Sequence, residues 1–404
     1  MRRREFLKYA GATGAATVLP GFQRETFADS LFGPPTGQGI DPLPESVYRD
    51  RLDRALGLMP KYGFTALFSE PATNFAYLQR ADFWRSERLI ALVLPDSGQP
   101  LIVAPAFEVE RVERAVGSLA DVRGWEEHED PYVIVYNVLW GRGPARIGIE
   151  PSTRYGTVVQ LQRILRNWKF DDAGDLFTSL RIIKAEEEIS LIRRAISITE
   201  TSIAATFASL EIGVSEHEVA AHLSEEMQQR GASGGGLVQF GPDSSLPHGG
   251  PTGMTLERGM PVLIDGGCRV HGYTSDITRM HFFGDEPSPQ YREVFNTVLA
   301  AQSAAYDAGR PSMECQQLDH IARTVIEQAG YGEYFTHRLG HGMGMDGHEH
   351  PYLVKGNTRP LEPGMVFTIE PGIYLPNQWG VRIEDDFVVR EDGLEVLSGR
   401  VSQI

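Results

Sequence analysis

Acids within apolar, strand-like runs constrain the fold of this chain more than any other feature of its sequence. Residues 262–265 are Val-Leu-Ile-Asp, and Asp276 opens a second apolar run, residues 277–283, eleven positions after Asp265. We predict a hairpin in which Asp265 faces Asp276 across a loop at 266–275. Because strand side chains alternate between faces, Thr278 shares the face of Asp276.

The same design recurs farther along the chain. Glu370 lies in an apolar run between Ile369 and Pro371, and Glu384 follows fourteen residues later at the end of another apolar run. Taken alone, an acid also fits a simpler interpretation: Asp265 as a turn cap, or residues 384–386 as a solvated charged face. A buried carboxylate needs a cation partner, however, and two such hairpins predict a carboxylate cluster that metal ions neutralise.

A glycine-rich stretch at residues 337–350 adds several histidines, among them His337, His341 and His348. The spacing of His337 and His341 permits a helical pair, but the nearby glycines favour a strand or loop. The glutamate of a His-Glu-x-x-His zinc motif is also missing. His248 stands apart in a Pro/Gly turn, where an ordinary surface histidine is the simpler interpretation.

Hydrophobic periodicity predicts an α/β region followed by long amphipathic helices that alternate with the acid-bearing strands. In the first region the predicted strands are 64–69, 89–94, 101–104 and 146–149, and the predicted helices are 47–61, 107–116 and 155–168. The later helices are predicted at 185–210, 216–230, 289–307 and 316–329. Ser215 and Glu218 have the spacing of a capping box, and Gly330 is positioned to end the last helix.

Residues 1–28 are predicted to be a targeting segment rather than part of the fold. Arg3 and Arg4 precede an uncharged stretch too short to span a bilayer, a pattern that resembles the twin-arginine export signal. Residues 29–45, rich in Gly and Pro, are predicted to be a linker. We therefore expect an exported protein, periplasmic or secreted, without a membrane span in the mature chain.

Charge and cysteine content exclude several classes of function. The chain has 38 Lys and Arg against 54 Asp and Glu, a formal net charge of −16 at pH 7. This balance disfavours nucleic-acid partners and anionic membrane surfaces. Two cysteines cannot form a disulfide framework, and neither belongs to a zinc-binding cysteine pattern. Any metal is therefore held mainly by oxygen and imidazole.

Together these segments resemble the pita-bread metallopeptidases, in particular the Xaa-Pro dipeptidases (prolidases) and the Xaa-Pro aminopeptidases. The resemblance covers most of the chain. Its five motifs are Leu246-Pro247-His248-Gly249, Ile264-Asp265-Gly266-Gly267 with Ser275-Asp276-Ile277-Thr278-Arg279, Gly340-His341-Gly342-Met343-Gly344, Thr368-Ile369-Glu370-Pro371-Gly372 and Val381-Arg382-Ile383-Glu384-Asp385.

The resemblance implies the fold and the assembly. It implies an α/β N-terminal creatinase-like domain, residues 46–175, and an α+β C-terminal pita-bread domain, residues 176–404, whose halves are related by a pseudo-two-fold axis. It also implies a homodimer in which the N-terminal domain of one subunit lines the site of the other. Residues 83–85 and Tyr77 are candidates for that contact, although ordinary core or surface positions explain them equally well.

The resemblance also implies roles for particular side chains. The implied metal ligands are Asp265, Asp276, His341, Glu370 and Glu384, with Asp265 and Asp276 on one ion, His341 and Glu370 on the other, and Asp276 and Glu384 bridging. The implied catalytic residues are Glu370, His248 and His348. His337 and Arg382 are the implied substrate-binding residues, and Arg382 matches an arginine that holds either substrate or a ligating acid.

Four carboxylates and one imidazole suit two divalent ions, with manganese preferred and cobalt, zinc or iron as alternatives. A hydroxide bridging the ions would cleave the Xaa-Pro bond of a proline-containing peptide, with Glu370 as general base. His248 or His348 would donate a hydrogen bond to the oxyanion. The same scaffold also serves non-peptidase hydrolases and lyases of small zwitterionic metabolites, which remain the alternative. A metal-free interaction protein is a third class, disfavoured because all five ligand positions are intact.

Overall fold

The computed structural model describes residues 41–143 and 145–404. The predicted export signal at 1–28 lies outside these residues, as does most of the predicted linker at 29–45. Within the described ranges, no helix is both long enough and apolar enough to cross a bilayer.

The first region is a six-stranded sheet with helices packed against it. Its strands are β1 (Ala66–Ser69), β2 (Ala91–Pro95), β3 (Leu101–Pro105), β4 (Asp121–Trp125), β5 (Arg146–Ile149) and β6 (Lys169–Asp172), in the order β4-β3-β2-β1-β5-β6. Its helices are α1 (Glu45–Tyr62), α2 (Thr73–Gln79), α3 (Val109–Val116), α4 (Tyr132–Leu139), α5 (Tyr155–Ile164) and α6 (Gly174–Arg181). β1 pairs antiparallel with β2 and parallel with β5, so the sheet is mixed. Every residue of β1, β2 and β3 is buried, as expected for strands covered on both faces.

The second region repeats one unit, two helices followed by a three-stranded antiparallel core. The first unit contains α7 (Glu186–Ala208), α8 (Glu216–Gln229), β7 (Ser233–Phe240), β8 (Pro261–Val270), β9 (Tyr273–Thr274) and β10 (Ile277–Phe282). The second contains α9 (Pro289–Ala308), α10 (Cys315–Gln328), β11 (Gly340–Gly342), β12 (Glu349–Leu353), β13 (Val366–Ile369), β14 (Gly372–Leu375), β15 (Trp379–Arg382), β16 (Asp385–Arg390) and β17 (Gly393–Val396). β8 lies between β7 and β10, and β13 lies between β11 and β16, so the two cores have the same strand order.

The predicted elements are present, with ends shifted by a few residues. Helix α8 begins with the expected capping box: the Glu218 amide donates to Ser215 Oγ at 3.3 Å, and the Ser215 amide donates to Glu218 Oε2 at 2.9 Å. The predicted helix at 107–116 instead begins as the 3-10 turn Ala106–Glu108 before α3. The short helices α2, α4 and α6 and the edge strands β4 and β6 were not predicted. β4 and β6 are largely exposed and polar, so neither gives the apolar run on which a strand prediction depends.

Strand β7 was not predicted because residues 234–236 are three glycines, which weaken strand propensity. The structure explains their presence. A Cβ on Gly236 would lie 2.4 Å from the Asp265 carbonyl oxygen, and one on Gly234 would lie 2.5 Å from the Gly267 carbonyl oxygen. The glycines therefore let β7 lie close against β8, the strand that contains Asp265.

A buried arginine joins the two regions. Arg51 on α1 donates to Glu188 Oε1 at 2.9 Å and to the Tyr273 hydroxyl at 2.6 Å. Tyr273 in turn donates to the same Glu188 oxygen at 2.6 Å. Because Tyr273 belongs to β9, this contact fixes the N-terminal region against the hairpin that contains Asp265.

Candidate metal centre

The first acidic hairpin is tighter than predicted. β8 continues through the first half of the predicted loop as far as Val270, and the chain turns at His271 and Gly272, both at positive φ. The residue opposite Asp265 is Thr278, so the prediction that Asp265 faces Asp276 was wrong by two residues. Asp276 precedes β10 and lies diagonally across from Asp265, on the same face because of strand alternation.

The second acidic hairpin contains a break where its two glutamates lie. β13 pairs with β16 and β14 pairs with β15 in one common register, which puts Glu370 opposite Glu384 in the gap between the two ladders. Thr278 Oγ1 donates to Glu384 Oε2 at 2.6 Å, which ties the second hairpin to the first. The simpler interpretation of residues 384–386 as a solvated face is wrong, because all three are buried.

The five predicted ligands lie together. One group consists of Asp265, Asp276 and Glu384, and another of His341, Glu370 and Glu384; in each, one ligand atom per residue lies within 4.8 Å of the others. His341, on β11 as the glycines indicated, has its Nε2 atom 3.3 Å from Glu370 Oε1 and 3.7 Å from Asp276 Oδ2. A third group of the same kind joins His348 to Asp276 and His341.

The negative charge of these buried carboxylates needs positive charge to balance it. Burial, followed by neighbouring carboxylates, raises the pKa of Asp276 and of Glu384 well above the usual range. Burial also raises the pKa of Glu370 to about 8. Carboxylates held this close ionise together only when positive charge is added. The donor set of oxygen atoms and one imidazole therefore fits divalent metal ions.

A backbone carbonyl and burial fix the orientation and the neutral state of the His341 ring. Burial, and then the charge of His348, lowers the pKa of His341 to about 3, so the ring is neutral. Its Nδ1 atom lies 3.2 Å from the Gly342 carbonyl oxygen, which accepts the Nδ1 proton. This contact leaves the Nε2 lone pair directed at the acids, as is usual for metal-binding histidines.

Arg382 contacts protein groups with four of its five N–H donors. It is 2% exposed, and it donates to Asp265 Oδ2 at 2.6 Å, Thr278 Oγ1 at 3.1 Å, the Tyr374 hydroxyl at 2.9 Å and the Pro247 carbonyl at 3.2 Å. These contacts favour a role in holding the acid Asp265. Of the two roles predicted for Arg382, the contacts support the holding of a ligating acid, and the substrate-binding role stays a prediction for the one remaining Nη2 N–H.

His337 is also engaged within the protein. Its Nε2 atom lies 2.8 Å from the Tyr374 hydroxyl, and its Nδ1 atom lies 2.7 Å from the Arg338 carbonyl oxygen. Burial lowers the pKa of His337 to about 4, so the ring is neutral. With both nitrogens in hydrogen bonds, His337 can offer a substrate only its ring surface.

The other two histidines lie at the mouth of the cluster. His248 is exposed in its turn, with its ring centroid 6.5 Å from that of His337. The ring of His348 lies 3.9 Å from the ring of His341, and its Nδ1 atom accepts a hydrogen bond from Arg338 Nη2 at 3.3 Å. Both rings therefore remain available to a bound molecule.

Sequence reasoning missed Gln239, which supports the His248 turn. This side chain is fully buried, and its Nε2 atom donates to the carbonyl oxygens of Leu246 at 3.0 Å and Gly249 at 2.9 Å, one on each side of His248. In the ladder with β8, Gln239 pairs with Leu263, which puts its side chain on the face of Asp265. The available signal was an amide between Val238 and Phe240, a polar residue within an apolar run.

A buried ion pair anchors the segment that contains His348. Lys184 Nζ contacts Glu349 Oε1 at 2.7 Å, and Arg181 contacts both Glu349 and Asp346. Glu349 is the residue after His348 and begins β12. Sequence analysis did not find this pair, because its members are distant along the chain.

Acids on antiparallel hairpins, joined by a neutral imidazole, are typical of the site of a metal-dependent hydrolase. The sequence profile of metallopeptidase family M24 matches residues 190–391, and that of the creatinase/prolidase N-terminal domain matches residues 51–183. The chain belongs to metallopeptidase family M24. The expected class of enzyme and the expected fold, a creatinase-like domain followed by a pita-bread domain, are confirmed.

Solved structures and sequence relatives support this assignment. Dipeptidase PepE from Mycobacterium ulcerans is 37% identical, with a TM-score of 0.83 over 90% of this chain and 99% of that one. A prolidase from Thermococcus sibiricus is 31% identical, with a TM-score of 0.81 over 87% of this chain and 97% of that one. An uncharacterized peptidase of Staphylococcus aureus (strain MW2) is 37% identical over 83% of this chain and 91% of its own length.

Proposed function

We propose that this protein hydrolyses the peptide bond between an amino acid and a following proline, with two divalent metal ions. The observation that carries the proposal is the pair of overlapping ligand groups, which share Glu384. An acid common to two groups can neutralise two neighbouring cations at once. Similarity to a prolidase over most of both chains supports the choice of substrate.

Asp265, Asp276 and Glu384 would hold one ion, and His341 and Glu370 would hold the other, with Asp276 and Glu384 shared. Such ions polarise a scissile carbonyl and lower the pKa of a water molecule enough for attack at neutral pH. Because the ligands are hard oxygen atoms and one imidazole, we propose manganese, with cobalt, zinc and iron as alternatives.

Glu370 is the proposed general base. It is nearly buried, and Thr368 Oγ1 donates to its Oε1 atom at 3.4 Å, which orients the carboxylate. A carboxylate beside the attacking water can accept its proton and return it to the leaving group. We propose that Glu370 takes the proton from the attacking water and delivers it to the proline nitrogen as the bond breaks.

His248 and His348 are the proposed donors to the carbonyl oxygen as it becomes negative. Because Arg338 donates to His348 Nδ1, the proton of the neutral ring lies on Nε2, which is then the free donor. Proline itself has no amide N–H. A site for it therefore needs room for the ring and no acceptor at that position.

The test is a hydrolysis screen on the purified protein after chelation and reconstitution with each metal. We expect cleavage of Xaa-Pro dipeptides or Xaa-Pro-Yaa peptides with manganese, and none after exhaustive chelation. Matched dipeptides without proline are the control for specificity. Full activity after chelation would contradict the metal requirement, and turnover of small zwitterionic metabolites alone would favour the non-peptidase alternative.

We also propose that the protein is exported from the cytoplasm. The Arg3-Arg4 pair supports export through the twin-arginine route to the periplasm or beyond. Changing both residues to lysine should strand the enzyme in the cytoplasm while its specific activity is unchanged. Cell fractionation measures this, and unchanged export would contradict the route.

A homodimer is also part of the proposal. Trp84 is 88% exposed beside the buried Phe83, and so large an exposed aromatic is typical of a contact surface. We expect light scattering to give twice the monomer mass for the wild-type protein, and Trp84→Ala to weaken the dimer. A monomer at all concentrations would contradict this part.

A further inference from the structure

A buried glutamate holds together the two ends of the loop that follows β7. Glu216, the first residue of α8, is fully buried. Its Oε1 atom accepts from the Phe240 amide at 2.8 Å, and its Oε2 atom accepts from the amides of Thr252 at 2.9 Å and Gly253 at 3.2 Å. Phe240 is the last residue of β7, and the other two amides lie where the chain returns. One carboxylate therefore joins the start of the loop to its end.

This loop, residues 241–251, contains His248. Gln239 donates to two of its carbonyl oxygens, and Arg382 donates to the Pro247 carbonyl at 3.2 Å. These bonds hold the backbone directly beside the histidine. They do not reach the last residues of the loop.

The returning end of the loop depends on Glu216. Gly250 is exposed, and a Cβ at this position would meet no atom within 4 Å. The next residue, Pro251, has no amide N–H to donate. The two amides that follow, those of Thr252 and Gly253, both donate to Glu216. Glu216 is thus the side chain that fixes the loop on the far side of its histidine.

The backbone of Glu216 is itself well fixed. Its amide donates to the Met254 carbonyl oxygen at 3.1 Å, and Ser215 forms an antiparallel bridge with Thr255. The start of α8 is therefore paired with the chain that follows the loop. This position also suits an acid, because the positive end of the helix dipole lies at the first turn.

A carboxylate is well matched to this set of partners. An ionised carboxylate accepts hydrogen bonds and donates none, so three backbone N–H groups satisfy it. Burial raises the pKa of Glu216, and the three amides that donate to it oppose that rise. Hydrogen bonds to a charged acceptor are also about twice as strong as those between neutral groups. A neutral side chain would close the loop less firmly.

We propose that Glu216 is a positioning residue, which holds His248 where it can donate to the carbonyl oxygen of the substrate. The inference rests on the proposed function and names a further residue of the same site. Groups that act in catalysis must be held within about 0.5 Å of their productive position. A misplacement of about 1 Å can cost roughly 10²-fold in rate. Without Glu216, the loop keeps its bonds to Gln239 and Arg382 but loses its closed end.

A double-variant cycle on the full-length, metal-loaded enzyme tests this role, with Ala-Pro as the substrate. Glu216→Gln keeps the size of the side chain but turns N–H donors toward backbone N–H donors. We expect kcat to fall about 30-fold, more than for one neutral hydrogen bond and less than for loss of His248 itself, with KM and bound metal nearly unchanged. In a His248→Ala background the same change should lower kcat by less than about 2-fold, because the two residues act together. Glu225→Gln, an exposed glutamate on α8, is the control and should change none of these quantities.

Hydrogen exchange provides a second measurement, which does not depend on turnover. In Glu216→Gln the amides of Thr252 and Gly253 lose a charged acceptor. Exchange should therefore become faster in the segment 241–253, whereas exchange in α9 and α10 should be unchanged. Unchanged exchange in the loop would mean that Glu216 does not hold it, which overturns the proposal.

The kinetic results can overturn the proposal as well. Unchanged kcat in Glu216→Gln, or an equal loss in the His248→Ala background, would show that Glu216 does not act through His248. If Glu216→Gln fails to fold, Glu216→Asp decides. Its carboxylate is one methylene shorter and cannot reach both ends of the loop, so unchanged kcat in that variant contradicts the proposal. A wild-type enzyme that cleaves no Xaa-Pro peptide would instead contradict the proposed function, and hydrogen exchange would then decide whether Glu216 closes the loop.

Discussion

The two acidic hairpins differ in how they hold their acids. In the first, Asp265 lies within an unbroken strand, and the side chains of Asp265 and Asp276 are 24% and 22% exposed. In the second, Glu370 and Glu384 lie in a break of the ladder, and Glu384 is 2% exposed. The first hairpin thus faces the entrance, and the second forms the floor.

This difference has a physical reason. An acid on the face of a continuous strand leaves the backbone ladder intact and can remain partly solvated. A buried acid needs more hydrogen bonds. Glu384 obtains one from Thr278 on the other hairpin, and its own carbonyl accepts from Arg279 at 2.6 Å. The floor therefore depends on the entrance hairpin for its support.

The largest expected loss of activity comes from replacing Glu384, on the hairpin that forms the floor. Glu384→Gln removes the acid common to both ligand groups, so metal content should fall and kcat/KM should drop by at least about 10³-fold, because several kcal/mol of Lewis-acid stabilisation are lost. Metal analysis and kinetics on one preparation measure this. Glu391→Gln, an exposed glutamate beyond β16, is the control. Unchanged metal content would remove Glu384 from the ligand set.

Replacing Asp265, the acid at the entrance, should reduce metal content and activity less than replacing Glu384. Asp265→Asn weakens one ligand group and leaves His341 with Glu370, so we expect loss of about one of the two ions. Activity should fall on the order of 10²- to 10³-fold, since the remaining ion still polarises the carbonyl. Metal titration counts the ions, and Asp285→Asn, part of an exposed ion pair, is the control. Loss of both ions would mean that the two hairpins do not hold metal separately.

His248 separates catalysis from metal binding. His248→Ala should lower kcat by on the order of 10²-fold, as the loss of one oxyanion donor does, while metal content stays at the wild-type level. His320→Ala, an exposed histidine on α10, should change neither quantity. Unchanged kcat would remove His248 from the site, and lost metal would mean that the ligands were assigned wrongly.

The smallest expected loss of activity comes from replacing Gln239, which supports the turn that contains His248. Gln239→Leu keeps the size of the side chain but leaves two carbonyls without their donor, so the turn should loosen and kcat should fall by about 10-fold, near the cost of one net hydrogen bond. Gln228→Leu, exposed on α8, is the control.

A double variant distinguishes positioning from a general structural role. If Gln239 acts only through His248, the Gln239→Leu change should lower kcat no further in a His248→Ala background, because coupled residues are not additive. A further loss equal to that in the wild-type background would contradict the positioning role. Kinetics of the four proteins of the cycle provide the measurement.

Short-range patterns in the sequence were enough for much of the fold. The capping box at Ser215 and the alternation of helices and strands in the first region were predicted because they depend on neighbouring residues. The four acidic candidates stood out in the sequence because an acid within an apolar run is unusual, whereas His341 and the complete set of five came from the resemblance to the family. The glycines of β7 misled the prediction, since the close approach of β8 that requires them is a tertiary contact.

The sequence by itself indicated the four acids of the candidate metal centre, because charge inside apolar strands has few physical explanations. Only the tertiary structure decided the register that puts Thr278 opposite Asp265 and Glu370 opposite Glu384. It also decided that Arg382 holds an acid and that Gln239 supports the His248 turn. These contacts join residues far apart in the chain, and a hydrogen bond between such residues depends on distances that only packing sets.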